Sequence, residues 1–259
     1  MTKLTRFIKT ILTPIALCLT LAIAGPVMAK KNHHQKHDGM RQILSELSLT
    51  DTQKQDIRQI LKQTREDRSL FSSDEKSLKK ELRSLVRTTE WDQTAIEDAI
   101  KQRQDLIQEK SLQRARNKNQ VWNLLTNTQQ AECIALIDTR KADSKIRKAK
   151  DVKGNKKDTR KGNRLKRLDL TKAQIAAVKD IRNVAKTTGE ETKTRLKTFK
   201  QAERVLVHSS NFSAESWQTL SNEYKADFLT MAVIKAKTKH DIWNRLTPEQ
   251  QVQAGKKYR

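Results

Sequence analysis

Leu49-Thr50-Asp51-Thr52-Gln53 decides how this chain folds, because the pattern returns three times: Leu125-Thr126-Asn127-Thr128-Gln129, Leu170-Thr171-Lys172-Ala173-Gln174 and Leu246-Thr247-Pro248-Glu249-Gln250. A threonine followed three residues later by a glutamine is a capping box. The hydroxyl accepts the backbone N–H at the third helical position, and the glutamine side chain reaches back to the N–H of the threonine. Each motif therefore predicts a helix start. Pro248 falls at the first helical position, where its missing N–H costs nothing. The leading leucine occupies the staple position, but its usual partner is apolar only at Ile175. Where that partner is Lys54, Gln130 or Gln251, the leucine is expected to pack on another helix.

The first two motifs are 76 residues apart, as are the last two, and the pairs are offset by 121 residues without a gap. The same offset matches Trp122 to Trp243, Trp91 to Phe212, Leu85 to Leu206, Val86 to Val207, Ile57 to Val178 and Ile60 to Ile181. This is an internal duplication. Between the motifs, Asp92 and Ser213 are equivalent N-caps, with complete staples from Trp91 to Ile96 and from Phe212 to Trp217.

Each copy thus predicts a long helix over about 51–87, a tight turn, a second long helix over about 93–123 and a third from the second motif. Met40 to Leu47 can form a short leading helix, and Ser72-Ser73 and Gly189 are points where the first long helix can break. The short turn makes the long helices antiparallel and returns the second motif to the first. Leu78, Leu82 and Leu85 against Ile96, Ile100 and Ile107 supply the expected seam.

The composition agrees with thin helical layers. The 259-residue chain is 35% hydrophobic, 4% aromatic and 32% charged, too polar for a deep globular core. Strand-like alternation is absent and only three prolines occur, so the fold class is all-α. Residues 1–29 have the form of an export signal: Lys3, Arg6 and Lys9, a short apolar run from Ile11 to Ala24, then Val27-Met28-Ala29 as a cleavage site. Without them the formal charge falls from +24 to +21. Cys133 then stands alone and makes no intramolecular disulfide; its helical setting predicts a small buried hydrophobe.

Residues 30–39 form a histidine-rich polar tail, 40–139 the first helical unit, 140–167 a basic linker and 168–259 the second unit. The linker holds 14 Lys or Arg against three Asp, a solvated, self-repelling segment whose early part can prolong the preceding helix.

Paired Leu-Thr-x-x-Gln motifs in a signal-bearing, basic, helical unit resemble the Spy/CpxP family of Gram-negative periplasmic proteins. The resemblance covers both copies. It implies curved helical hairpins that dimerise with a basic concave face, acting as ATP-independent chaperones for unfolded proteins, as restraints on a sensor kinase's periplasmic domain, or as binders of zinc, nickel or cobalt. Two units fused in one chain then imply an intramolecular pseudo-dimer cradle, with a homodimer as the alternative. The residues that carry the resemblance are Leu49, Thr50, Gln53, Leu125, Thr126, Gln129, Leu170, Thr171, Gln174, Leu246, Thr247 and Gln250, whose role is structural.

The expected partners are unfolded or misfolded envelope proteins, with a sensor kinase domain as the alternative. Basic stripes among apolar ones favour fast, non-specific capture of acidic, unfolded segments. Trp122 and Trp243 are expected to pack over the motif junctions, with client contact as the sharper reading. His33, His34 and His37 beside Asp38 are candidate ligands for a divalent metal such as zinc, although a polar tail is their ordinary reading. No other cofactor is expected. The linker is a candidate contact for anionic lipid or lipopolysaccharide, and no recognition motif for specific nucleic acid occurs. No glycine-rich phosphate loop and no nucleophile, base and orienter set appear, which points away from an enzyme.

Overall fold

The structure, a computed structural model, describes residues 39–153 and 168–255. The segment expected to be an export signal, the histidines His33, His34 and His37, and the linker from 154 to 167 lie outside the described residues. Residues 39–255 belong to one compact unit, which is helical throughout, with no strand among the described residues.

The first copy consists of α1 (Gly39–Leu44), α2 (Asp51–Leu70), α3 (Ser72–Val86), α4 (Gln93–Asn123) and α5 (Asn127–Lys153). The second consists of α6 (Lys172–Thr188), α7 (Glu190–Val207), α8 (Ala214–Glu223), α9 (Lys225–Trp243) and α10 (Pro248–Gly255). Helix α5 runs through Arg140 to Lys153, so the first half of the basic segment is helical.

Every helix start forecast by a cap is present. All four capping boxes close: in the first, the Gln53 amide N–H donates to Thr50 Oγ1 at 3.2 Å and the Thr50 N–H donates to Gln53 Oε1 at 3.0 Å. The other three repeat this geometry. Asp92 caps α4 by accepting from the Ala95 N–H at 2.9 Å, and Ser213 forms a further box with Ser216. Cys133 is buried among apolar neighbours, 1% exposed, and burial pushes its thiol up from the ordinary range.

The first long helix jogs once in each copy, at Phe71 and at Gly189. Backbone angles there leave the α region (φ −88, ψ 0 and φ −93, ψ 3), while the Glu75 and Lys193 N–H groups still bond across the jog. At Gly189 the missing side chain matters, since a Cβ would lie 3.3 Å from Met231 Cε on α9.

Two expectations need correction. The second long helix is continuous only in the first copy; in the second it kinks at Tyr224 (φ −104, ψ 9), whose buried ring packs on Phe199. Tyr224 replaces the first copy's Arg103 at the 121 offset, so no periodicity marks the kink. Ile107 does not join the seam, being 36% exposed, whereas Leu82, Leu85, Ile96 and Ile100 do.

The core lies in three clusters. One closes the motif end of the first copy, with Ile43, Leu44, Leu47, Ile57, Val121, Trp122, Leu125 and Cys133. The other two are the same cluster written twice, and each draws on both copies. Val86, Ile96 and Ile100, flanked by Leu85 and Trp91, take Ala236 and Val233 from the second copy. Val207 and Trp217, flanked by Leu206 and Phe212, take Ala115 and Leu112 from the first. Residue for residue at the 121 offset, the contacts are reciprocal, as in an isologous interface.

Candidate binding surface

The motif glutamines come together in pairs. Gln53 Nε2 donates to Gln129 Oε1 at 2.8 Å and to the Leu124 carbonyl at 2.7 Å. Gln129 Nε2 donates to the Ser48 carbonyl at 2.8 Å and to Gln53 Oε1 at 3.1 Å. With the two caps, both amides use all four of their hydrogen-bonding positions. Gln174 and Gln250 repeat the pair, with Arg245 and Leu168 as carbonyl partners. Gln130 and Gln251, unsuitable as staples, instead donate to the carbonyls of Trp122 and Trp243 at 3.1 Å. The motif is a clasp between two helix starts and presents no reactive group.

The junction tryptophans belong to the reciprocal interface. Trp122 is buried and stacks on His208 of the other copy, with ring centroids 4.2 Å apart. Trp243 is half-buried, with the Arg87 guanidinium 4.4 Å from its ring centroid. His208 and Arg87 are equivalent at the 121 offset, so one contact occurs twice. Burial first, then the charges of Arg204, Lys118 and Lys141, pushes the His208 pKa down to about 4. Asparagines pin the same crossings: Asn119 Nδ2 donates to the Val207 and Ser209 carbonyls at 3.0 and 2.9 Å, and Asn244 Nδ2 to those of Thr88 and Thr89 at 3.2 and 3.3 Å. Midway, Gln104 donates to the carbonyl of its own equivalent, Lys225, at 2.8 Å.

Beside the first clasp, a groove of about 410 Å³ opens between α1 and α2. Leu44, Leu49, Ile57 and Leu61 floor it, and the cations Lys54, Arg58, Lys62 and Arg65 line it along α2. The rim cations are exposed; Lys54 pairs with Asp51 at 3.1 Å and Lys62 with Glu66 at 4.0 Å. Apolar floor and cationic rim together accept an apolar side chain flanked by acidic ones.

Charged positions follow the 121 offset unequally. Eight basic positions are basic in both copies: Arg58/Lys179, Arg65/Lys186, Lys76/Lys197, Lys79/Lys200, Arg83/Arg204, Arg114/Lys235, Arg116/Lys237 and Lys118/Lys239. No acidic position is acidic in both. Apart from Arg83 and Arg204, which are half-buried, these side chains are exposed. Carboxylates have thus drifted while the cations stayed.

Among the described residues there is no group of three or more His, Cys, Asp or Glu that could hold a metal ion, and no helix is long and apolar enough to cross a membrane.

Reciprocal helical hairpins clasped by glutamine pairs, with cations beside an apolar groove, define a tandem all-helical protein. The model of the LTXXQ motif family matches residues 35–136 and again 156–258. The chain therefore belongs to the LTXXQ motif family, in a tandem form that agrees with the Spy/CpxP resemblance and the duplication. No curated protein and no solved structure matches the chain significantly.

Proposed function

We propose that this is a periplasmic, ATP-independent, chaperone-like protein. It binds unfolded or misfolded envelope proteins through a basic, partly apolar helical surface, and its two copies supply the halves of a pseudo-dimer cradle. The observation that carries this reading is the retention of eight cationic positions and no carboxylate across the two copies. A structural ion-pair network would need its acids kept in place as well as its bases. A surface that attracts acidic partners needs only the bases, which raise encounter rates without fixing one orientation. The groove beside α2 adds apolar area next to that charge, and the reciprocal seam supports the cradle.

On this reading the protein binds clients and catalyses no reaction. At stoichiometric amounts it suppresses aggregation of a denatured client without ATP, and raising salt from 50 to 300 mM, roughly halving the Debye length or more, weakens the effect. An aggregation curve unchanged by the protein would end the proposal. Capture of one dominant envelope partner in place of many unrelated chains would make it an accessory to a sensor instead.

A further inference from the structure

Four of the retained cations fall in pairs four residues apart in each copy: Lys79 with Arg83 and Arg114 with Lys118, then Lys200 with Arg204 and Lys235 with Lys239. Like charges at this spacing repel on one helix face, yet both copies keep them. The reciprocal packing then concentrates them. Helix α3 packs against α9, where Lys79, Arg83 and Lys235 all act on the charge of Lys239. Helix α4 packs against α7, where Lys118 and Arg204 both act on His208, and Arg114 and Lys200 lie one helical turn from them in sequence.

The first cluster contains a fifth cation, Arg103. Its Nε is buried and has no hydrogen-bond partner among the described residues. The nearby carboxylate, Glu75, is taken by Lys110 and lies 3.9 Å from Arg103 Nη2. Lys239 is exposed on α9. Burial first, then Arg103, Lys235, Lys79 and Arg83, holds its ammonium below the usual lysine range. In the second cluster Asp138 answers Arg204 at 3.0 Å and Lys141 at 3.2 Å. Arg103, Lys110, Arg114 and Lys118 follow one stripe of α4, so the clusters share a side of that helix. Eleven residues at 1.5 Å rise separate Arg103 from Arg114 by roughly 17 Å.

We propose that the paired clusters bind phosphate anions presented in a row, either a soluble polyphosphate or the headgroups of an anionic lipid surface. Guanidinium forks bond phosphate oxygens bidentately and ammonium groups add point charge. Each phosphate in such a row carries one negative charge on two non-bridging oxygens, and successive phosphates repeat that charge at a spacing a row of cations can follow. The site shares four of the eight retained positions with the client-binding surface proposed above but needs no apolar contact, so phosphate binding can fail while client capture persists.

The test is calorimetry of the chain from residue 30 with inorganic polyphosphate, comparing two variants of equal net charge. One is Lys79→Gln/Arg83→Gln/Lys235→Gln/Lys239→Gln. The other removes four unretained, exposed cations outside the groove, Lys101→Gln/Lys172→Gln/Arg182→Gln/Lys193→Gln. Both keep the basic linker, so its contribution cancels. The cluster variant is expected to lose at least about tenfold in affinity and the control less than about twofold, beyond the general polyelectrolyte term. Single Lys239→Gln is expected to lose at least about threefold, which covers the case of a misfolded quadruple variant, and circular dichroism checks the helicity of each. Polyphosphate should also raise the melting temperature of the parent more than that of the cluster variant. Equal losses in the two quadruple variants, or an oligo-aspartate of matched charge binding as tightly through the same cluster, overturn the assignment. Cluster-dependent sedimentation with phosphatidylglycerol but not phosphatidylcholine vesicles identifies lipid as the source; polyphosphate binding without it identifies the free anion.

Discussion

Replacing Gln129 by methionine keeps most of the side-chain volume and deletes four hydrogen bonds. The orphaned groups are the Thr126 N–H, the Ser48 carbonyl and both amide atoms of Gln53 that face it. Gln129 is itself buried, so water reaches these groups poorly. At about 1 kcal/mol net per neutral bond, less some recovery by Gln53 through solvent, the expected loss is about 3 kcal/mol. Gln250→Met deletes the equivalent bonds in the second copy, but Gln250 is only half-buried, and about 1–1.5 kcal/mol is expected there.

The two bonds shared by Gln53 and Gln129 can be lost only once. The Gln53→Met/Gln129→Met double variant should therefore cost about 1–2 kcal/mol less than the sum of its singles. Urea unfolding followed by circular dichroism at 222 nm, with the slope checked for constancy, measures all four. Losses below about 0.5 kcal/mol in both copies, or strict additivity in the double variant, would refute the clasp.

Protonation of His208 should loosen the seam. Its folded pKa of about 4 lies below the ordinary value of 6.5, so stability is full above pH 6.5 and falls as pH drops from there toward 4. The full linkage is discounted by about half for partial exposure, leaving about 1–2 kcal/mol; His208→Gln should flatten this part of the stability–pH curve measured in urea. Trp122→Ala should cost about 3–5 kcal/mol because the ring is buried, and Trp243→Ala less than half of that; equal costs in thermal unfolding would contradict the two environments. Cys133 should resist a thiol reagent in the native protein and react at once in denaturant, since its thiol is buried and its pKa raised; rapid native labelling would show that the motif end opens.

The helix starts were legible because each is a local signal, and the duplication stated each signal twice. Thr50, Asp92, Thr171 and Ser213 needed no tertiary information to be identified as caps. The glutamine pairing was not legible in that way. The 76-residue spacing placed the motifs side by side, but the amide of Gln53 meeting that of Gln129 depends on how two helices end. Ile107 shows the limit of periodicity: helical spacing puts it on the seam, and the partner helix passes elsewhere. The fate of Trp122 depends on the other copy, since the ring it stacks on lies 86 residues away. The retained cations were visible in the sequence all along, in the charged positions of the aligned copies rather than the apolar ones.

Carrying both halves of the reciprocal seam in one polypeptide changes how the protein responds to dilution. A tether keeps partners at an effective concentration on the order of millimolar, whatever the bulk concentration. Two separate chains joined by the same contacts would part when scarce. Here the surface formed across the seam is as complete in the first molecule made as in a full complement.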